Sequence, residues 1–205
     1  MDKKKLDIIE RSTLIYLKYG IKSVTMDDLA NHLSISKKTI YKYFEDKNDL
    51  IVTMIKRTLD FEEKMCFKIQ THSDNALEAL IRISKLVIER LNNVNPAIFY
   101  DLQKHHNEAW QILEKHKWDF VLSAISANIN RGIAEKYYRD DLNVEIISRL
   151  YIATIDTVMN SEIYKWPEFQ FHELFKEVMR FQFHGLVNEN GKNYLKINFK
   201  DEYNV

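Results

Sequence analysis

Positively charged and hydroxyl side chains are concentrated between residues 36 and 47 in a pattern that suits contact with nucleic acid. Lysine ammonium groups neutralise phosphates, and Thr and Tyr hydroxyls bond phosphate oxygens or reach base edges in the major groove. Ile40 and Phe44 lie four residues apart, so they share one helix face that can turn inward. The remaining positions predict a DNA-contacting surface made of Lys37, Lys38, Thr39, Tyr41, Lys42, Tyr43 and Lys47.

The residues that precede this surface predict a helix-turn-helix. Thr25 is a candidate N-cap for a first helix, and the acidic residues 27–28 follow where a helix N-terminus favours negative charge. The turn 34–36 places one apolar residue between two serines, and Ser36 can cap a second helix from Lys37 to about Phe44. We expect Thr25 and Ser36 to assist DNA contact at these two helix N-termini.

A third helix is predicted to begin just after Asp46, which is its candidate N-cap. Lys47 lies close to that N-terminus, where the helix dipole helps to hold an anion. Lys47 is therefore predicted to hold a DNA phosphate.

The motif T-x-x-x-[LI]-A followed by T-x-Y-x-[YH]-F-x-x-K runs through this region, and the match covers residues 1 to about 50. The matching positions are Ile8, Ile9, Tyr16, Gly20, Val24, Thr25, Met26, Leu29, Ala30, Leu33, Ile35, Ser36, Thr39, Tyr41, Tyr43, Phe44, Lys47 and Leu50. In this spacing the chain resembles the TetR family of bacterial transcriptional repressors. Two places depart from the family pattern: Arg11 and Ser12 replace a small Ala pair, and Ser34 takes a turn position often held by Gly.

The resemblance implies an all-α protein with a three-helix helix-turn-helix DNA-binding domain and a larger helical domain for ligand binding and dimerisation. The expected domains are residues 1–46 and 47–205, and the helix that begins at about Lys47 connects them. Only four Gly and two Pro occur in 205 residues, which independently favours helices with few long loops. We expect about nine or ten helices, those outside the motif covering about 3–19, 47–71, 76–92, 97–105, 107–137, 144–164 and 167–187. The tail from Asn188 is polar with interspersed apolar residues, and both packing as an extra element and remaining mobile are left open.

The stretches 144–164 and 167–187 are apolar over more than one helix face, whereas a surface helix needs one apolar stripe. Burial inside a monomer would explain this pattern. The resemblance implies instead an interface between two subunits, and recognition of two half-sites requires two-fold symmetry. We therefore expect a homodimer through residues of about 144–187, bound to a palindromic operator in double-stranded DNA.

A small-molecule inducer of unknown identity is the second partner that the resemblance implies. An inducer that binds more tightly to the form with misplaced recognition helices must weaken DNA binding. The factor by which it lowers the affinity for DNA equals the factor by which DNA lowers the affinity for the inducer. Abundant aromatic side chains favour an apolar or planar ligand. The positional candidates for the pocket are Phe61, Met65, Phe99, Tyr100, Gln103, His106, Trp110, Trp118, Val121 and Tyr151.

The residues also bear on two other classes of function. A metal effector or an enzyme is disfavoured because His105 and Glu108 form only a pair of ligands at i, i+3, and the later His116 does not supply HExxH spacing. Neither a phosphate-cradling glycine loop nor a G-x-S-x-G elbow occurs. We expect no enzyme activity, no cofactor and no metal. Control by a protein partner instead of a small ligand remains the alternative.

Charge and cysteine content agree with this interpretation without specifying it. The 30 Lys and Arg balance the 30 Asp and Glu, but residues 1–60 carry a small basic excess. Cys66 is the single cysteine, as expected in a reducing compartment. The N-terminus lacks a signal-peptide core, and no window approaches the ~18 apolar residues that span a bilayer. We expect a cytoplasmic protein.

Overall fold

A computed structural model describes residues 2–91, 94–95, 97–159, 163–164 and 168–199. Within these ranges the protein is all-α, as predicted, with one isolated antiparallel bridge between Tyr138 and Val187. None of the described helices is long and apolar enough to cross a membrane. The elements are α1 (Lys3–Tyr19), α2 (Met26–Leu33), α3 (Lys37–Tyr41), α4 (Lys47–His72), α5 (Ala76–Leu91), α6 (Ala97–His105), α7 (Asn107–His116), a π-helical segment (Lys117–Val121), α8 (Leu122–Ala134), α9 (Val144–Met159), α10 (Phe171–Leu186) and α11 (Glu189–Asn198).

Several helix boundaries match the sequence prediction because local groups fix them. Asp2 caps α1 by accepting hydrogen bonds from the backbone N–H groups of Lys4 and Lys5. Gly20 ends α1 with φ at 82°, in the left-handed region that favours glycine, and its N–H donates to the carbonyl of Tyr16 at 2.8 Å. Helices α1 and α6 have the predicted ends.

Other boundaries differ from the prediction. Helix α3 ends at Tyr41, three residues before the predicted end at Phe44. The predicted helix 107–137 is one continuous helix built from α7, the π-helical segment and α8, and it ends at Ala134, shortly before Lys136 with its positive φ of 61°. Counted as one, it gives ten helices in the described ranges, in agreement with the expected nine or ten, and the tenth is α11. For the stretches 144–164 and 167–187, residues 160–162 and 165–167 lie outside the described residues.

Two compact units make up the chain. Unit 1 comprises Met1–Glu62 and Asn93–His116, and unit 2 comprises Glu63–Asn92 and Lys117–Val205. These packing units are not the predicted domains 1–46 and 47–205, which stay a prediction. In unit 1, side chains from α1 to α4 share one core with Ile98 and Leu102 of α6 and Ala109 of α7. Helices α6 and α7 therefore stabilise the same unit as the helix-turn-helix.

The core of unit 2 is closed by a polar network at the turn between α4 and α5. Arg131 donates to the carbonyls of Gln70 and Ser73 at 3.0 and 3.1 Å and pairs with Glu135 at 2.7 Å. Glu135 in turn accepts a hydrogen bond from the backbone N–H of Ala76 at 2.7 Å. The carbonyls at the C-terminal end of α4 and the first N–H of α5 thus find partners on Arg131 of α8 and on Glu135, which directly follows α8.

The tail contributes the helix that the sequence prediction did not assign. Asn188 caps α11 by accepting from the N–H of Gly191 at 3.0 Å, and its own amide donates to the carbonyls of Lys136 and Tyr138 at 3.0 Å each. Leu195 is fully buried in the core of unit 2. The segment 189–198 is therefore an integral part of that unit, and residues 200–205 lie outside the described chain.

Two helical glycines of unit 2 provide a matched test of this packing. A Cβ on Gly132 of α8 would overlap the ring of Tyr138, which is buried and donates to Asn128 Oδ1 at 3.0 Å. A Cβ on Gly185 of α10 would meet nothing within 4 Å. We expect Gly132→Ala to lower the free energy of unfolding by about 1–3 kcal/mol through overpacking. Gly185→Ala should raise it by about 0.5 kcal/mol through helix propensity. Chemical denaturation measures both, and equal stabilities would contradict the placement of the Tyr138 ring.

Candidate nucleic-acid interface

The N-terminus of α2 is fixed by a capping box, as the sequence suggested for Thr25. Thr25 Oγ1 accepts a hydrogen bond from the N–H of Asp28 at 3.1 Å. Asp28 Oδ2 accepts from the Thr25 N–H at 2.9 Å and from the Thr25 hydroxyl at 2.6 Å. The hydrogen bonds from Thr25 lower the pKa of the Asp28 carboxyl. In the protein without DNA, the Thr25 hydroxyl therefore already donates its proton to the Asp28 carboxylate.

The turn between α2 and α3 depends on a residue with positive φ and on a guanidinium from α1. Ser34 has φ at 55°, where a side chain costs roughly 1–2 kcal/mol relative to the right-handed region. Arg11 donates to the carbonyls of Leu33 and His32 at 3.1 and 3.2 Å, and these groups would otherwise end α2 without partners. Of the departures from the family pattern, Ser34 thus forms this turn and Arg11 contacts it from α1.

Helix α3 presents the predicted DNA-contacting surface. Its N-cap Ser36 accepts from the Thr39 N–H at 3.1 Å, and the two hydroxyl oxygens lie 2.8 Å apart. Ile40 and Phe44 are buried, which confirms the predicted inward face. Of the nine predicted DNA residues, Thr39, Tyr43 and Lys47 are half-buried and the others are exposed, namely Thr25, Ser36, Lys37, Lys38, Tyr41 and Lys42.

Besides Thr25, which bonds Asp28, two of these residues have acidic partners within the protein. The Lys37 ammonium at the start of α3 lies 2.9 Å from Asp27 Oδ2 at the start of α2, and this hydrogen bond raises the pKa of Lys37. The Tyr43 hydroxyl donates to Asp2 Oδ2 at 3.4 Å. DNA binding through Lys37 therefore requires the ammonium to leave Asp27 or to share it.

Lys47 is held beneath the turn between α1 and α2. Its half-buried ammonium donates to the carbonyls of Ile21 and Val24 at 2.7 Å each. Burial lowers the pKa of Lys47, and the charges of Asp101 and Asp28 act in the opposite direction. In this arrangement the ammonium is occupied by backbone carbonyls, so Lys47 holds the segment that leads into α2.

Asp101 of α6 completes this arrangement, and the sequence analysis missed it. The residue is 5% exposed and accepts a hydrogen bond from the backbone N–H of Lys22 at 2.8 Å. A buried carboxylate must find donors or opposite charge, so an acid among the apolar residues of AIFYDLQKH was a usable signal. Arg11 stands out in the sequence as a departure from the family pattern, but its two acceptors lie more than twenty residues away, so the sequence does not predict them.

His106, predicted as a pocket residue, lies between α6 and α7 and packs on the start of α4. Its Nδ1 atom is hydrogen-bonded to Asn48 Oδ1. Burial lowers the pKa of His106, and the charges of Lys47 and His105 lower it further, while Asp101 and Asp46 oppose them. Across the part of the chain that the structure describes, no three His, Cys, Asp or Glu side chains are grouped to hold a metal ion.

The predicted ligand residues are divided between the two units. Unit 1 contains Phe61, Phe99, Tyr100, Gln103, His106 and Trp110, whereas unit 2 contains Met65, Trp118, Val121 and Tyr151. In unit 2, Trp118 and Val121 belong to the π-helical segment, and π-helical turns recur at functional sites. Tyr151 is buried, and its hydroxyl donates to Met179 Sδ at 3.3 Å.

Comparisons with known proteins agree with this geometry. The family model described as "Bacterial regulatory proteins, tetR family" matches residues 8–54. An uncharacterised HTH-type transcriptional regulator of Bacillus subtilis, YvaF, is 26% identical over 171 residues, which cover 80% of this chain and 86% of that protein. The HTH-type transcriptional repressor KstR2 of Mycobacterium tuberculosis is 20% identical over 163 residues, covering 73% and 76% of the two chains.

A solved structure extends the similarity over nearly the whole fold. A transcriptional regulator from Saccharomonospora viridis, solved in complex with choline, has a TM-score of 0.72. It is 16% identical and covers 92% of this chain and 100% of its own. Fold and helix-turn-helix define a DNA-binding transcriptional regulator. Residues 8–54 match the DNA-binding region of the TetR family, and the proteins that resemble the longer chain are also transcriptional regulators.

The lowered pKa of His106 predicts a pH dependence of stability. The folded protein binds the proton more weakly than the unfolded chain does, whose histidine keeps its ordinary pKa of 6.5. Stability is therefore complete above that value and falls as the pH drops through the pKa of the folded state. We expect His106→Gln to lose less stability than the wild type between about pH 7 and pH 5. Denaturation curves at each pH measure this, and parallel losses in both proteins would contradict a half-buried, neutral histidine.

Proposed function

We propose that this protein is a homodimeric repressor that leaves a palindromic operator when a small molecule binds to it. The observation that carries the proposal is the exposed face of α3, whose lysines and hydroxyls are presented by caps at Thr25 and Ser36. One relative, KstR2, is named as a repressor, which supports the direction of control.

In this proposal, the exposed and half-buried side chains of α3 and the turn after it contact DNA. Residues early in α3 reach base edges, as in other helix-turn-helix proteins, and later residues contact phosphates. The base- and phosphate-contacting set is Lys37, Lys38, Thr39, Tyr41, Lys42 and Tyr43. Thr25 and Ser36 assist at their helix N-termini, and Lys47 contributes by holding the turn that precedes α2.

The dimer is proposed to form through α9 and α10. Ile146 and Leu150, one helical turn apart on α9, are each 54% exposed, and Phe181 of α10 is 78% exposed. Several large apolar side chains exposed on the same pair of helices favour burial against another protein surface. Regulators of this family bind DNA as dimers, so a second copy of the chain is the proposed occupant.

The inducer is proposed to be an apolar or planar small molecule. Choline is bound in the similar structure from Saccharomonospora viridis, so a protein of this fold accommodates a small organic ligand. In this chain, Tyr151 of α9 and Trp118 and Val121 of the π-helical segment supply aromatic and apolar surface within unit 2. A ligand that binds the released form more tightly than the operator-bound form lowers DNA affinity by the same factor.

Selection of genomic fragments at ~150 mM salt tests operator binding, because non-specific binding is weak there. We expect one palindromic site to be enriched.

On that site, Lys37→Gln should change the preference at one base pair by about 1–3 kcal/mol. Lys42→Gln, which is exposed and lies in the turn after α3, should weaken binding to every duplex and reduce the salt slope by about 1. No enrichment by a folded dimer, or equal effects of both variants on all sequences, would contradict the proposed roles.

A thermal-shift screen of apolar, planar and charged metabolites tests the inducer proposal. A ligand at about 100 times its Kd stabilises the protein by roughly 2.7 kcal/mol. We expect apolar or planar compounds to raise the Tm and to release the operator. Tyr151→Phe should reduce this shift, whereas Tyr41→Phe on α3 should leave it unchanged. Stabilisation only by charged sugars or phosphates would contradict an apolar inducer, and no shift with any compound would favour control by a protein partner.

A further inference from the structure

The first turn of α1 contains a local electrostatic conflict. Lys3, Lys4 and Lys5 occupy it, and no acidic residue accompanies them there. A helix N-terminus carries partial positive charge, so three ammonium groups at this position oppose helix formation. Asp2 offsets the conflict only as the N-cap, accepting from the N–H groups of Lys4 at 2.7 Å and Lys5 at 3.4 Å. Local choices that oppose the fold are expected where a sequence serves function.

This turn lies against the end of the DNA-contacting surface. Asp2 Oδ2 accepts from the Tyr43 hydroxyl at 3.4 Å, and the Lys5 ammonium lies 5.0 Å from the centre of the Phe44 ring. The pKa of Asp2 is lowered by the backbone hydrogen bond from Lys4, and the charge of Lys42 acts in the same direction. The lysine-rich first turn of α1 is therefore close to Lys42 and Tyr43, although these residues are distant in sequence.

Intramolecular pairing neutralises little of this charge. Lys4 Nζ lies 3.5 Å from Asp7 Oδ2, but the same oxygen lies 3.7 Å from Arg11. The Lys4–Asp7 pair is also close to half-exposed on both sides, where an ion pair is weak and readily exchanged for another anion. The surface beside Tyr43 thus keeps a net positive charge.

We infer that Lys3, Lys4 and Lys5 form a second contact with the DNA backbone, beside the C-terminal end of α3. The inference rests on the proposed operator binding and extends it to phosphates that α3 itself does not contact. Lysines at phosphates position a protein on the duplex without reading sequence. The conflict in α1 is then relieved in the complex, because phosphate supplies the negative charge that the first turn lacks.

The test compares two triple variants of equal charge change in the full-length protein. K3Q/K4Q/K5Q removes the proposed contact, and K56Q/K68Q/K196Q removes three exposed lysines from α4 and α11. Each lost phosphate contact reduces the slope of log K against log salt by about 0.9. We expect K3Q/K4Q/K5Q to reduce it by about 2–3 and to weaken operator and unrelated duplexes alike, and the control to match the wild type. In phosphate-ethylation interference, K3Q/K4Q/K5Q should no longer show interference at the phosphates that the three lysines contact, whereas the control variant should keep the wild-type pattern.

Stability separates this role from a structural one. Because the lysines oppose the helix dipole, the Tm of K3Q/K4Q/K5Q should equal or exceed that of the wild type although its DNA binding is weaker. K3Q/K4Q, which retains Lys5 at the Phe44 ring, should show an intermediate salt slope. A lowered Tm that accompanies weaker binding, or a salt slope equal to that of the control, would overturn the inference. A wild-type protein that binds no duplex would instead overturn the proposed function.

Discussion

The DNA-binding unit depends on one ammonium group held under the turn between α1 and α2. Lys47 donates to the carbonyls of Ile21 and Val24, and Asp101 accepts from the N–H between them, that of Lys22. A half-buried cation is costly unless it is hydrogen-bonded, and here both carbonyls and the nearby charge of Asp101 compensate it. Because Thr25 follows this turn directly, the direction in which α2 starts is set by α4 and α6.

The other end of α2 is held in a similar way from α1. Arg11 bonds the last carbonyls of α2, and Ser34 then turns the chain through its positive φ into Ser36 and α3. Helix α3 has only five residues, too few to be stable as an isolated helix. Its conformation therefore depends on the burial of Ile40 and on these anchors, so the predicted DNA-contacting face is formed only as part of unit 1.

Predictions from the sequence succeeded where the responsible groups are close in the chain. The caps at Thr25 and Ser36 act over three residues, and the inward pair Ile40 and Phe44 follows from helical periodicity. The end of α3, by contrast, was placed three residues too late. The helical tail was left unassigned because its stability comes from Asn188, whose amide bonds carbonyls about fifty residues earlier.

The sequence by itself determined the fold class, most helix starts and the inward face of α3, because capping and periodicity are local, and its motif gave the resemblance to the TetR family over the first fifty residues. Only the tertiary structure decided what the polar groups bind. In that structure Lys47 donates to two backbone carbonyls, Lys37 pairs with Asp27 and His106 is hydrogen-bonded to Asn48. The expected ligand residues are divided between two units. The physical reason is that a hydrogen bond or ion pair forms between any groups that packing brings within about 3 Å, and residue spacing carries no record of that approach.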